Sequence, residues 1–157
     1  MLALIVVLLT VERLLPPLPF FPPNFKLGLS NIVVMFAIFF IGTKEAFTLG
    51  TLKGFFNFLL RGPIGGATSL AGGLLSIAII VIIKKISRGK ASLVSLSIFG
   101  AIFHNLGQFL VITATLGSLD LFMWYLPILL VAGVVFGILI GIATGAIVPM
   151  FKRIYTS

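Results

Sequence analysis

Three polar side chains, His104, Asn105 and Gln108, lie within a long apolar run and are the first candidates for chemistry. The run covers residues 91–119 and contains no Asp, Glu, Lys or Arg. In a helix of about 3.6 residues per turn, His104 and Gln108 share one face and Asn105 lies beside them. At membrane depth, such groups must be paired or line a filled cavity. The pattern predicts a ligand site, with hydrogen bonding between helices as the alternative.

A second polar set, Lys53, Asn57 and Arg61, recurs every fourth residue and would therefore occupy one face of a helix. A lysine at membrane depth indicates a functional site by default, because its charge must be compensated. Polar residues of both sets fall at a similar depth, which favours a ligand site. The alternatives are an ion pair of Lys53 with Glu12 or Glu45, or extension of its amine to the membrane surface.

The composition predicts a membrane protein rather than a water-soluble one. Of the 157 residues, 60% are hydrophobic and only 9% are charged, against roughly 25% charged in typical soluble domains. Charge-free runs cover residues 27–43, 62–83, 91–119 and 121–151, and each approaches or exceeds the ~17–25 residues that cross a bilayer. A signal peptide followed by a soluble domain is excluded, because the apolar runs continue toward the C-terminus.

The residue inventory predicts no catalytic residue, metal ligand or cofactor. The chain has no cysteine, one histidine and three acidic residues, so neither a thiolate site nor a carboxylate-rich magnesium–diphosphate site can be assembled. The P-loop motif for nucleotide phosphates is absent from the sequence. The net charge of +8 is interpreted as membrane topology and contact with anionic lipid, not as nucleic-acid binding.

Proline, glycine and charged stretches divide the chain into six predicted transmembrane helices that form a single domain, residues 1–157. Their expected bounds are residues 1–15, 27–41, 44–60, 68–83, 92–116 and 121–148. Residues 61–66 are expected to form a loop because of their Gly and Pro content, and Pro149 is expected to end the last helix. The fold class is thus all-α and polytopic.

The basic residues predict the orientation of the six helices. With both termini in the cytoplasm, seven basic residues lie inside: Lys44, Lys84, Lys85, Arg88, Lys90, Lys152 and Arg153. Three lie outside, namely Arg13, Lys26 and Arg61, and Lys53 is buried. This distribution satisfies the positive-inside rule. Both polar sets then face a pocket that opens to the outside of a cell membrane.

Glycines recur every fourth residue at Gly133, Gly137, Gly141 and Gly145. Small residues at this spacing allow helix backbones to pack closely, so the ridge is interpreted as packing within the bundle. A contact surface for a partner subunit is the alternative. The small residues of 69–76 are interpreted in the same way.

Four segments carry a family resemblance: P-P-L-P-F (16–20), K-L-G-L-S-N-I (26–32), S-L-A-G-G-L-L-S (69–76) and F-H-N-L-G-Q (103–108). They resemble the heptaprenyl diphosphate synthase component I family, also called the Gx transporter family. That family is similar to the substrate-binding S components of energy-coupling factor (ECF) transporters. The resemblance implies six helices, cytoplasmic termini, an outward-facing pocket, and partner chains that comprise a transmembrane T component and two ATPases.

Two functions follow from these observations. The first is an S-component-like subunit that binds a small, anionic, partly apolar molecule, such as an isoprenoid diphosphate or a quinone precursor. Its predicted ligand residues are cations and hydrogen-bonding groups: Lys26, Lys53, Arg61, Asn57, His104, Asn105 and Gln108. The second is a non-catalytic membrane subunit of a prenyl diphosphate synthase. The residues themselves do not predict an enzyme, whereas the family name implies a component of one.

Overall fold

The computed structural model describes residues 2–14, 30–117 and 120–155. Within these residues the chain forms five helices and no strand: α1 (Leu2–Leu14), α2 (Ser30–Phe40), α3 (Thr43–Ile86), α4 (Leu93–Leu116) and α5 (Asp120–Tyr155). Three helical segments are long and apolar enough to cross a membrane, namely Thr43–Ile86, Leu93–Leu116 and Trp124–Ile147. The expectation of an all-helical, membrane-type chain is therefore confirmed.

Helix α3 is bent back on itself at Gly62. As a straight rod its 44 residues would measure about 66 Å, twice the ~30 Å hydrocarbon core. Gly62 has a non-helical backbone (φ 76°, ψ −174°), and Pro63 follows it. Gly54 then packs against Leu70, and Gly66 against Phe58. These contacts make α3 a hairpin of two antiparallel arms, the first arm (residues 43–61) and the second arm (residues 63–86).

The hairpin corrects one boundary prediction and changes the helix count. Residues 61–66 were expected to form a loop between two separate helices, but only Gly62 leaves the helical conformation. One glycine suffices because this combination of φ and ψ, which is open to glycine and closed to most other residues, reverses the chain in one step. The predicted helices 44–60 and 68–83 are therefore the two arms of one bent element.

Helix α2 packs antiparallel to the first arm through a tight connection. The backbone N–H groups of Ile41 and Gly42 both donate to the Ala37 carbonyl, at 3.0 and 2.9 Å. The Lys84 ammonium donates to the Ile38 carbonyl at 3.1 Å and lies 4.8 Å from the centre of the Phe39 ring. The end of the second arm therefore lies beside the end of α2.

The glycine ridge of α5 packs on α4. A Cβ atom at Gly133, Gly137 or Gly141 would lie 2.9, 2.5 or 2.7 Å from the Cα atom of Ile102, Ile98 or Val94, respectively. Any side chain there would force the two backbones apart, so the interpretation as bundle packing is confirmed for these three glycines. Helix α5 continues to Tyr155, so the predicted end at residue 148 is wrong. A proline removes one backbone hydrogen bond and disfavours a helix interior, but helices of membrane proteins tolerate it where other groups satisfy the freed carbonyl.

The distribution of side chains is the reverse of that in a water-soluble protein, with polar groups buried and large apolar groups exposed. Buried polar side chains include Lys53, Asn57, His104 and Asn105, whereas large apolar side chains are exposed along all three long segments. The exposed apolar set includes Phe55, Leu59, Ile82, Phe99, Leu110, Trp124, Val131, Val135, Ile138 and Leu139. An apolar exterior of this extent is favourable in contact with lipid and unfavourable in water.

Candidate functional site

The site is built around Lys53, in the middle of the first arm of α3. Its side chain is 4% exposed. Gly50 and Gly54 on either side pack closely against Ile77 and Leu70 of the second arm, which encloses Lys53 within the bundle. The ammonium donates to the Asn31 side-chain oxygen of α2 at 2.5 Å.

Asn31 was not among the predicted site residues, although it lies in one of the family segments. The signal that could have identified it is a lone amide in an apolar helix, the same signal that identified Asn57 and Asn105.

Asn57, one helical turn beyond Lys53, joins the two arms of α3. Its amide nitrogen donates to the Ser69 hydroxyl at 2.9 Å and to the Lys53 carbonyl at 3.2 Å. The sequence predicted Ser69 as a small packing residue only. It also accepts this hydrogen bond, which fixes the Asn57 amide against the second arm.

His104 and Gln108 face the second arm at Gly72. A Cβ at Gly72 would lie 2.6 Å from the His104 carbonyl oxygen and 2.8 Å from Gln108 Cγ, so only glycine allows this approach. The Nε2 atoms of His104 and Gln108 lie 2.8 Å apart, within hydrogen-bond distance. The buried Nδ1 of His104 has no hydrogen-bond partner among the described residues. Gly72 lies about one helical turn beyond Ser69, which binds Asn57, so both polar sets contact neighbouring turns of the second arm.

Asn105 is directed away from His104 and Gln108. One residue along a helix is a rotation of about 100°, and this rotation turns Asn105 toward α5. Its amide nitrogen donates to the Leu129 carbonyl at 3.1 Å. The structure therefore does not bring Asn105 together with His104 and Gln108, and its contact is the hydrogen bond between helices that the sequence left as an alternative.

Arg61, another predicted site residue, lies apart from Lys53. Arg61 is half-buried at the end of the first arm, about 12 Å along the helix from Lys53. Lys26 lies outside the described residues. Glu45, considered as an ion-pair partner of Lys53, is exposed at the start of α3, also about 12 Å away along the axis.

The remaining predicted residues and their partners form a cluster that spans three helices. We call it the polar cluster; its members are Asn31, Lys53, Asn57, Ser69, His104 and Gln108. It offers one ammonium group, amide donors and acceptors, and an imidazole, enclosed by apolar side chains. This combination can bind an anionic group and orient it by hydrogen bonds. Among the described residues, no group of three or more His, Cys, Asp or Glu could hold a metal ion.

The model of one protein family, described as heptaprenyl diphosphate synthase component I, matches residues 1–147. The chain belongs to the heptaprenyl diphosphate synthase component I family. The family resemblance drawn from the four sequence segments is thus confirmed, whereas the likeness of component I to ECF S components stays a prediction. No curated protein and no solved structure matches the chain. The name component I denotes one part of a multi-subunit synthase, which makes a partner subunit plausible for members of the family.

Proposed function

We propose that this member of the component I family is a membrane-embedded subunit whose polar cluster binds a small, anionic, partly apolar molecule. The observation that carries the proposal is the Lys53 ammonium, buried among apolar helices and held by Asn31. A charge at this depth is costly and is seldom retained without a function. An anionic ligand group would be attracted to it more strongly than at the surface, because water screens the interaction less.

The proposal gives the predicted residues different roles. Lys53, His104 and Gln108 contact the ligand, and Asn31 holds the ammonium in position. Asn57 and Asn105 contribute through the helix contacts that shape the site, while Arg61 and Lys26 attract the anion from the outer side. The whole chain, residues 1–157, is a single multi-pass domain of the cell membrane with both termini in the cytoplasm. The positive-inside distribution supports this orientation.

The proposed role of this binding is transport. The chain would be the S-component-like subunit of an ECF-type transporter, and a T component and two ATPases would supply the energy. An isoprenoid diphosphate or a quinone precursor matches the chemistry of the cluster, since each combines polar or charged groups with apolar ones. Lipid surrounds the bundle.

Substituting Lys53 by methionine tests the site. Truncating one partner of a buried charge pair costs on the order of 2–5 kcal/mol, so binding of farnesyl diphosphate should weaken roughly 30-fold or more. Calorimetric titration of the purified chain in neutral detergent measures this change. Lys84→Met is the matched control, because Lys84 binds the end of α2 instead and its loss should leave the affinity unchanged. Lower thermal stability of Lys53→Met at unchanged affinity would make Lys53 a structural residue.

The family match favours a second candidate, a non-catalytic membrane subunit of a prenyl diphosphate synthase. Three acidic residues in the whole chain do not suffice for the magnesium–diphosphate chemistry of prenyl transfer. The purified chain, given farnesyl diphosphate, isopentenyl diphosphate and magnesium, should therefore form no product. Steady turnover by the chain alone would contradict both candidates. Product formed only after addition of a soluble synthase subunit would favour the synthase-subunit candidate. ATP-dependent uptake of the ligand into vesicles would favour the transporter candidate.

A further inference from the structure

A basic loop lies at the end of the hairpin opposite Gly62. It comprises the last turn of α3 and residues 87–92, and its cations Lys85, Arg88 and Lys90 are exposed. Lys84 is half-buried and contacts the Ile38 carbonyl and the Phe39 ring. The exposed Lys44 and Glu45 lie at the same end of the bundle, at the start of α3.

Backbone hydrogen bonds fix the path of the basic loop. The N–H groups of Arg88, Gly89 and Lys90 donate to the carbonyls of Lys85, Lys84 and Ser87, at 3.2, 3.0 and 3.0 Å. The Ser92 hydroxyl accepts the Ser95 N–H at 3.1 Å and caps the start of α4. The three exposed cations are therefore presented on an ordered backbone.

Arg88 has a left-handed backbone conformation, with φ of 51°. Among the described residues it is the one non-glycine residue with positive φ, because it ends α3 in a Schellman-type turn, in which the Arg88 and Gly89 N–H groups bind the Lys85 and Lys84 carbonyls. This turn fixes the backbone of Arg88 at the end of the helix. Beside it, Ile86 is 78% exposed. The loop thus carries exposed cations on an ordered backbone, next to an exposed apolar side chain.

We propose that the basic loop binds the phosphate of an anionic phospholipid headgroup, with Lys85, Arg88 and Lys90 around the phosphate and Ile86 among the acyl chains. The loop joins two helices that are long and apolar enough to cross a membrane, so it lies at the level of the headgroups when they do. Cations next to an exposed apolar residue fit that boundary better than the surface of an acidic soluble protein. The site is separate from the polar cluster and does not depend on its ligand.

The experiment compares phosphatidylglycerol retained by the full chain and its variants after purification in neutral detergent, measured by native mass spectrometry. Each basic residue near an anionic surface contributes about 1 kcal/mol, which corresponds to about fivefold in binding. Arg88→Gly should therefore reduce retained phosphatidylglycerol about fivefold. Because glycine relieves the positive φ, the variant should be at least as stable as the wild type in neutral-detergent micelles that contain phosphatidylcholine. This comparison separates loss of binding from loss of folding.

Lys44→Gln serves as the control, because it removes a cation at the same end of the bundle but outside the loop. It should retain phosphatidylglycerol to within twofold of the wild type, because Lys44 does not contact the phosphate in the proposed site and water and salt screen an exposed charge at a distance. Equal retention by wild type and Arg88→Gly would overturn the proposal, as would equal retention of phosphatidylcholine and phosphatidylglycerol by the wild type. An acidic protein that copurifies in place of lipid and is lost in Arg88→Gly would also overturn it.

Discussion

At the scale of single residues, the interior is organised by pairing between polar groups on different helices. The Lys53 ammonium pairs with Asn31, the Asn57 amide with Ser69, and the Asn105 amide with the Leu129 carbonyl. Each pair joins two helical segments. In hydrocarbon an unpaired polar group costs several kcal/mol, so these hydrogen bonds both satisfy the groups and fix which helices are neighbours.

Two substitutions of Asn31 distinguish the effect of the Lys53 charge on binding from the effect of the hydrogen bond that positions it. Asn31→Asp places a carboxylate beside the ammonium, which should preserve thermal stability but weaken binding of farnesyl diphosphate, because the ammonium is then neutralised. Asn31→Leu removes the acceptor and should cost about 1.5–3 kcal/mol, the range for a hydrogen bond to a charged group. Thermal unfolding in detergent and calorimetric titration measure both effects. Unchanged affinity in Asn31→Asp would place the ligand away from Lys53.

The sequence revealed which residues are polar at membrane depth but not how they pair. Lys53 and His104 stand out because each interrupts an apolar run. Their partners depend on the relative axial position of neighbouring helices, which spacing along one helix does not contain. Asn31 and Ser69 were therefore not predicted as site residues, and Asn105 was grouped with His104 although it contacts α5.

At the scale of helices, glycine has two distinct functions in this bundle. Along α5, the absence of side chains lets the backbone of α4 approach closely. In α3, Gly62 provides the backbone conformation that reverses the chain, and no atom lies within 4 Å of where its Cβ would be. The first function depends on space and the second on φ and ψ.

The α4–α5 contact predicts opposite effects for two glycines of one ridge. Gly137→Ala places a Cβ 2.5 Å from the Ile98 Cα, and since backbone cannot move aside, overpacking should cost about 1–3 kcal/mol. At Gly145 the nearest atom is the Leu93 Cδ1 at 3.9 Å, so Gly145→Ala should be neutral or stabilising by up to about 1 kcal/mol. Thermal unfolding of both variants in detergent measures the difference. Equal stability of the two would mean that α4 and α5 do not pack through this ridge.

Helix bounds were predictable where local chemistry determines them. Helix α4 was expected at residues 92–116 and spans Leu93–Leu116, because the Ser92 side chain caps its start and the left-handed Gly117 ends it. Two predicted bounds were wrong, the loop at residues 61–66 and the helix end at residue 148. The arms of α3 continue to Gly62 because they pack on each other, and α5 passes through Pro149. The family segments were sufficient for assignment to component I.

At the scale of the whole molecule, consecutive segments alternate in direction. The second arm packs antiparallel to the first, α4 to the second arm, and α5 to α4, as shown by the glycine contacts of Gly54, Gly107 and Gly137 with Leu70, Ala71 and Ile98. The turn at Gly62 and the basic loop at Arg88 therefore lie at opposite ends of the second arm. With an apolar exterior between them, this arrangement favours a transmembrane orientation for the hairpin.

Single cysteines at Ile64 and Arg88 test this orientation in the membrane. The second arm from Ile64 to Ile86 measures about 33 Å, longer than the ~30 Å hydrocarbon core, and Arg88 follows directly after it, so Ile64 and Arg88 should face opposite sides. Both side chains are exposed, and the chain has no native cysteine, so the introduced thiol is the one thiol of the chain that can react. In intact cells an impermeant maleimide should label Ile64→Cys but label Arg88→Cys only after permeabilisation. A permeant maleimide should label both, which shows that both thiols react. Labelling of both from outside would contradict the hairpin as a membrane-crossing element, and labelling of Arg88→Cys alone would invert the proposed topology.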